Sequence, residues 1–186
     1  LGGFPYLYLM GSNFGSAYAS KVSIFDFNRD NQVWYIPNQG GTRIKYRVNF
    51  ENINVEKKVN ELKYNGKDEV GIAISNSFTI EKDSIPVELV NDTLFLILEE
   101  SLGINNVEGQ ITQNSLLEQL TNIIGELSNT KSKIHLFVSA RASFCINLGS
   151  RYMPKTYPTI VLHNYNKDTR KRDWSIELKN GEVTKG

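Results

Sequence analysis

Cysteine is nearly absent: Cys145 is the only one in 186 residues, which excludes an internal disulfide and fits a reducing compartment. It lies in the apolar segment Phe144-Cys145-Ile146 and reads as a small buried hydrophobe, not a nucleophile. Histidine occurs twice, at His135 and His163. Neither has a Cys, Asp or Glu at ligand spacing, so no metal centre can be read from the sequence. No apolar run approaches the roughly 20 residues that span a bilayer. Leu1 to Met10 is apolar but short and lacks a basic leader, so it reads as a buried strand. GxGxxG, GxxxxGK[ST], HExxH and GxSxG are all missing, and no paired carboxylates or nucleophile with its base stand out.

What remains has the composition of a globular domain, with 40% hydrophobic, 22% charged and 11% aromatic residues. The length suits one domain with a sizeable core, or two small halves sharing one. Net charge is only +1, but residues 1–130 carry 10 basic and 16 acidic side chains while residues 131–186 carry 11 and 4. A basic last third on a near-neutral chain suggests an anionic partner. The alternative is that Lys167, Arg170, Lys171 and Arg172 solvate a hairpin tip.

The patterning alternates strand and helix. Tyr6–Met10 reads as a strand; Val22–Phe27 and Gln32–Ile36 read as a hairpin about Asn28-Arg29-Asp30-Asn31. Arg43–Phe50 alternates weakly. Val55–Tyr64 has helical spacing and ends at Asn65-Gly66. Val70–Ile74 is a buried-type strand, followed by two more at Pro86–Val90 and Thr93–Leu98. Thr112–Leu127 is the clearest amphipathic helix. A strand to Val138, a helix from about Ala142 to Leu148, a strand Thr159–Leu162 and its hairpin mate Trp174–Leu178 complete the order, and Lys179–Gly186 reads as a loose end. This order predicts an α/β fold with a mainly parallel sheet.

Two recurrences carry more information. Ile24-Phe25-Asp26-Phe27-Asn28-Arg29-Asp30 aligns with Leu162-His163-Asn164-Tyr165-Asn166-Lys167-Asp168, and each segment precedes one of the two tryptophans, Trp34 and Trp174. That favours two related lobes over shared turn chemistry. Also, three apolar runs exit into small polar residues and then a phenylalanine: Gly11-Ser12-Asn13-Phe14, Ser75-Asn76-Ser77-Phe78 and Ser139-Ala140-Arg141-Ala142-Ser143-Phe144. Ligands of parallel α/β sheets bind outside the carboxyl ends of the strands, helix-start N–H groups favour phosphate, and aromatic faces stack on bases. Helix capping and core packing are the competing explanation.

Ile134-His135-Leu136-Phe137-Val138-Ser139-Ala140, a helix ending Leu148-Gly149, and Pro158-Thr159-Ile160-Val161-Leu162 before an aromatic-Asn turn together resemble the C-terminal signature of SAVED domains. Val70-Gly71-Ile72-Ala73-Ile74-Ser75 and the helix Thr112–Leu127 resemble the elements before it. SAVED domains are CARF-related sensors fused to effectors in bacterial cyclic-oligonucleotide (CBASS) anti-phage systems. The resemblance implies a single domain over 1–186 with two fused CARF-like, Rossmann-like lobes, about 1–105 and 106–186, related by a pseudo-two-fold. It implies a cytoplasmic sensor of a cyclic di- or trinucleotide that self-associates on binding and activates a linked effector, such as a nuclease. No effector module is recognisable in these residues, so the chain reads as the non-enzymatic sensor part of a longer protein, without cofactor, metal or membrane contact. The ligand-binding set is then Ser12, Asn13, Phe14, Trp34, Ser75, Ser77, Phe78, Ser139, Arg141, Phe144, Tyr165, Lys167 and Trp174. A CARF-like ring nuclease and a non-catalytic nucleic-acid or protein interaction domain are the alternatives.

Overall fold

A computed structural model describes residues 3–19, 23–28, 31–99, 107 and 109–185, with side chains omitted for 16–19. Among these residues, four α-helices, α1 (Phe4–Ala19), α2 (Val55–Lys63), α3 (Gln110–Ser128) and α4 (Ala142–Ser150), accompany nine strands. The strands are β1 (Asp26–Asn28), β2 (Val33–Tyr35), β3 (Tyr46–Val48), β4 (Glu69–Ser75), β5 (Thr93–Leu98), β6 (Lys133–Ser139), β7 (Thr159–His163), β8 (Ser175–Lys179) and β9 (Glu182–Lys185). β1 and β2 form a separate ribbon, and the other seven form one sheet in the order β3-β5-β4-β6-β7-β8-β9.

The sheet is mixed, which corrects the mainly parallel expectation. The four central strands β5, β4, β6 and β7 run parallel, while β3, β8 and β9 join antiparallel at the flanks. The central strands are the continuous apolar runs, as strands buried on both faces must be. Both anticipated hairpins exist as antiparallel pairs, Asp26↔Tyr35 in the ribbon and His163↔Ser175 in the main sheet. β4 pairs with β6, so residues on both sides of position 105 share one sheet.

Three further assignments are corrected. Tyr6–Met10 is helical, not a strand. Its ten-residue apolar context hides the period, which appears in the burial: Phe4, Tyr8 and Gly11 face inward while Tyr6 and Met10 are exposed. Pro86–Val90 is a turn leading into a short 3₁₀ segment, with Leu89 and Val90 N–H groups donating to the Pro86 carbonyl. The 179–186 tail supplies β9, turned by Asn180-Gly181 with φ of 52° and 82°, the left-handed pair a two-residue hairpin requires.

Helix starts and ends follow local chemistry. Asn54 caps α2 by accepting from the Lys57 N–H, and Gly66 takes positive φ just beyond its end. α3 buries Leu116, Leu117, Leu120, Ile123, Ile124 and Leu127, and its polar edge serves the chain entering β3. Gln119 accepts from the Tyr46 N–H and donates to the Ile44 carbonyl. α1 and α4 meet at glycines: a Cβ on Gly11 would strike the Ile146 backbone, and one on Gly149 the Tyr8 backbone. These contacts pair Tyr8 with Gly149 and Gly11 with Ile146, so the helices are antiparallel and α1 runs toward the start of α4.

All four helices contribute their buried side chains to one core on one side of the sheet. On the other side a smaller cluster, Ala73, Ile80, Ile85, Leu89, Phe95 and Phe137, is covered by irregular chain. That asymmetry leaves part of the second face to polar residues.

Candidate functional site

The second and third small-polar exits lie side by side. β4 and β6 are parallel neighbours ending in register at Ser75 and Ser139. The turn after β4 folds over the end of β6: the Asn76 and Ser77 N–H groups donate to the Ser139 carbonyl at 2.9 Å, and the Phe78 N–H donates to Ser139 Oγ at 3.0 Å. Ser75 Oγ accepts from the Ile80 N–H. Phe78 is left 61% exposed at the lip of this turn. Asn76 is buried beneath it; Tyr46 Oη donates to its Oδ1 at 2.9 Å, but its Nδ2 has no partner among the described residues. A buried amide donor without an acceptor costs about 1–3 kcal/mol, so it marks a place where a further acceptor fits.

Past Ser139 the chain turns into α4, with Arg141 at the capping position. The expected phosphate cradle here is already filled by the protein itself. Asp26 of the β1–β2 ribbon is 3% exposed, and its carboxylate accepts from the Ser143 N–H at 3.0 Å and the Ser143 hydroxyl at 2.5 Å. An acidic group at a helix start satisfies unpaired N–H groups and the helix dipole together. Gln113 Nε2 donates to Ser143 Oγ and to the Val107 carbonyl, and Asn147 donates to Gln113, which fixes the cap from the far side. The Arg141 guanidinium lies 5.6 Å from the Tyr35 ring centre. Burial lowers its pKa and the Asp26 charge opposes that shift.

The remaining expected residues are distributed as follows. Ser12 Oγ and Asn13 Nδ2 both donate to the Leu9 carbonyl within α1, and Phe14 is 36% exposed on the stretch directed toward α4. The first exit is therefore a helix segment, not a strand end. Trp34 is 60% exposed on β2, its ring 5.2 Å from Phe27. Phe144 is fully buried and belongs to the core, which removes it from the ligand-facing set. Tyr165, Lys167 and Trp174 lie on the 164–174 connection between β7 and β8; Lys167 is exposed and Trp174 packs on Tyr6 at 5.3 Å.

A second polar cluster occupies the helix-free face and was not visible in the sequence. His135 Nδ1 and His163 Nε2 share a hydrogen bond at 2.8 Å, and His135 Nε2 bonds Glu69 at 3.0 Å. Lys133 pairs with Glu177 at 2.8 Å. His163 stacks on Phe137 at 4.4 Å. Burial pushes the His163 pKa down to about 3, helped by nearby His135 and Arg172. Burial also lowers His135. The pair is separated by 28 residues in sequence, so only the β6–β7 pairing reveals it. Arg172 lies over Phe137 and Tyr165, at 5.4 and 5.0 Å. It is folded onto the sheet, unlike the solvated tip residue that its basic run suggests.

Among the described residues, no nucleophile with an activating base appears at the strand exits. Cys145 is buried, its thiol pushed up to about 12 mainly by desolvation, and is chemically quiet. Among the described residues no three His, Cys, Asp or Glu side chains are placed to hold a metal ion, and no helix is long and apolar enough to cross a membrane.

A mixed α/β sheet whose parallel central strands exit into polar turns is a Rossmann-like arrangement, a type of sheet in which ligands commonly lie outside the strand ends. The family model for the SAVED domain, the SMODS-associated and fused to various effectors sensor domain, matches residues 1–178, and the chain belongs to that family. Its fold is similar to two Acinetobacter baumannii structures of a Cap4 SAVED/CARF-domain containing receptor. The one with the cyclic trinucleotide 3′3′3′-cAAA has a TM-score of 0.57 at 19% identity, covering 98% of this chain and 36% of that one. The one with 2′3′3′-cAAA has 0.55 at 16%, covering 98% and 35%. The Moraxella osloensis Cap4 receptor gives 0.51 at 18%, covering 97% and 33%. The chain therefore spans about a third of the length of these receptors. No curated protein matches its sequence.

Proposed function

We propose that this domain binds a cyclic di- or trinucleotide at the paired exits of β4 and β6, and that binding drives self-association and activates a fused effector in the bacterial cytoplasm. The reading is supported by family membership and by the cyclic trinucleotides in the Acinetobacter receptors. The observation that carries it to this site is the unmet Asn76 Nδ2 donor beneath the 76–78 turn, next to Ser139 and the start of α4. Arg141 supplies positive charge there, and exposed Phe78, Trp34 and Phe14 supply faces for bases. The Ser143 N–H is held by Asp26, so side-chain donors carry more of the phosphate recognition than the helix start does. The two-lobed, pseudo-two-fold arrangement within the chain, about 1–105 and 106–186, belongs to this proposal, with the ligand lying across both lobes.

A thermal-shift screen against cyclic di-, tri- and tetranucleotides tests the reading, because a ligand bound only by the folded state raises Tm by mass action. Arg141→Ala should weaken the best ligand by about 1–3 kcal/mol while leaving the unliganded melting curve close to wild type. Equal affinity of the variant would remove Arg141 from the site.

A further inference from the structure

Among the described residues, Arg172 is an arginine whose buried environment is left incomplete. Its Nε and Nη1 are buried and neither has a hydrogen-bond partner among the described residues. Buried guanidinium groups ordinarily pair with carboxylates, since desolvating an unpaired charge is costly. The adjacent carboxylate, Asp173, is committed elsewhere: it accepts from Asn164 Nδ2 at 3.0 Å and Asn166 Nδ2 at 2.8 Å. The connection holding Arg172 is closed by hydrogen bonds from Asn164 N–H to the Trp174 carbonyl and from Asn166 N–H to the Lys171 carbonyl. The guanidinium is thus fixed over the rings of Phe137 and Tyr165 with N–H groups unmatched. Desolvation lowers its pKa only to about 10, so it is a cation at neutral pH. Phe137 is two residues before Ser139 on the same strand, so both side chains fall on the helix-free face. Lys167, Arg170 and Lys171 on the same connection are exposed and, with exposed Asp168 among them and Asp173 beyond, leave it net basic. A connection of that charge favours a multiply charged oxyanion over a single carboxylate.

We propose that Arg172, seated on Phe137 and Tyr165 beside His163, is a phosphate-binding socket on the helix-free face near the end of β6, and holds a phosphate group of the domain's ligand. Only the identity of that ligand rests on the sensor reading; the socket stands on its own geometry.

The test uses ¹⁵N-edited NMR of arginine Nε–H groups, with the Arg172 signal assigned by its loss in Arg172→Lys. Pyrophosphate should shift that signal saturably and raise the His163 pKa, because an anion beside the imidazole favours its charged form. Acetate at equal concentration should do neither. Arg172→Lys keeps the charge and most of the stem, and should weaken pyrophosphate by about ten-fold or more through loss of the planar donor set. An Arg172 signal unmoved by about 10 mM pyrophosphate, with His163 unchanged, overturns the socket. A second arm titrates 3′3′3′-cAAA. If wild type and Arg172→Lys bind it equally, the role of Arg172 in ligand binding fails while the sensor reading stands. If pyrophosphate is held through Arg172 but no cyclic nucleotide binds, the socket stands and the sensor reading fails.

Discussion

Replacing Gly11 by alanine should destabilise the domain, although alanine is the better helix former. The gain from helix propensity is about 1 kcal/mol. Against it, the new Cβ would lie 2.8 Å from the Ile146 carbonyl carbon, 2.9 Å from the Ser150 amide nitrogen, and closer still to the Ile146 oxygen. All three are backbone atoms, so no rotamer change relieves the clash and α1 must move off α4 by about an ångström or more. Overpacking of this kind costs roughly 1–3 kcal/mol, and a backbone-on-backbone clash across a whole helix pair lies at or beyond the upper end. The net loss is about 2 kcal/mol, which for a chain of this size lowers Tm by roughly 4–8 °C. Gly125→Ala in α3 is the matched control, since nothing lies within 4 Å of its added Cβ. It should gain up to about 1 kcal/mol. Urea and thermal unfolding of both variants beside wild type measure the split. A Gly11→Ala protein as stable as wild type would refute the close α1–α4 seam and, with it, the delivery of Ser12–Phe14 toward the start of α4.

Asp26→Ala strips both acceptors from Ser143 and should cost about 1–3 kcal/mol in urea unfolding; an unchanged midpoint would mean the ribbon does not cap α4. Stability should also fall on mild acidification. His163 is held near 3 and His135 is also lowered, against an ordinary value of 6.5. Above 6.5 both states are neutral and the stability is complete; below it the unfolded chain takes up protons that the folded imidazoles refuse. The loss between pH 6.5 and 5 should approach about 1.4 kcal/mol per pH unit for His163. Urea midpoints at pH 7 and pH 5 measure it, and His163→Leu should flatten the dependence; a wild-type midpoint unchanged across that range contradicts the buried neutral pair.

Periodicity and run length made the central elements legible. β4, β6 and β7 are short β-branched or apolar runs with polar exits, and α2 and α3 show helical spacing. α1 was hidden because Tyr6 and Met10, though apolar, face outward, so hydrophobicity alone misreports burial. β9 was announced by Asn180-Gly181, a hairpin signal outweighed by the polar composition around it. At the proposed site, the strand-end positions of Ser75 and Ser139 and the turn residues Ser77, Phe78 and Arg141 after them could be located from sequence because strand exits recur locally. Asp26, Asn76 and Arg172 were not, because their roles depend on contacts that folding makes. Asp26 meets Ser143 across 117 positions, and Arg172 stands out only because Asp173 is occupied by Asn164 and Asn166.

The central claim is that the domain recognises a cyclic oligonucleotide through the exits of β4 and β6. Calorimetric titration of wild type and Arg141→Ala with 3′3′3′-cAAA, other cyclic di- and trinucleotides, and linear triadenylate tests it most directly. The account predicts saturable binding of at least one cyclic ligand, tighter than the linear counterpart and weakened in the variant by roughly ten-fold or more. Binding of linear and cyclic ligands with equal affinity and a steep salt dependence would contradict it and point to sequence-independent nucleic-acid binding by the basic last third.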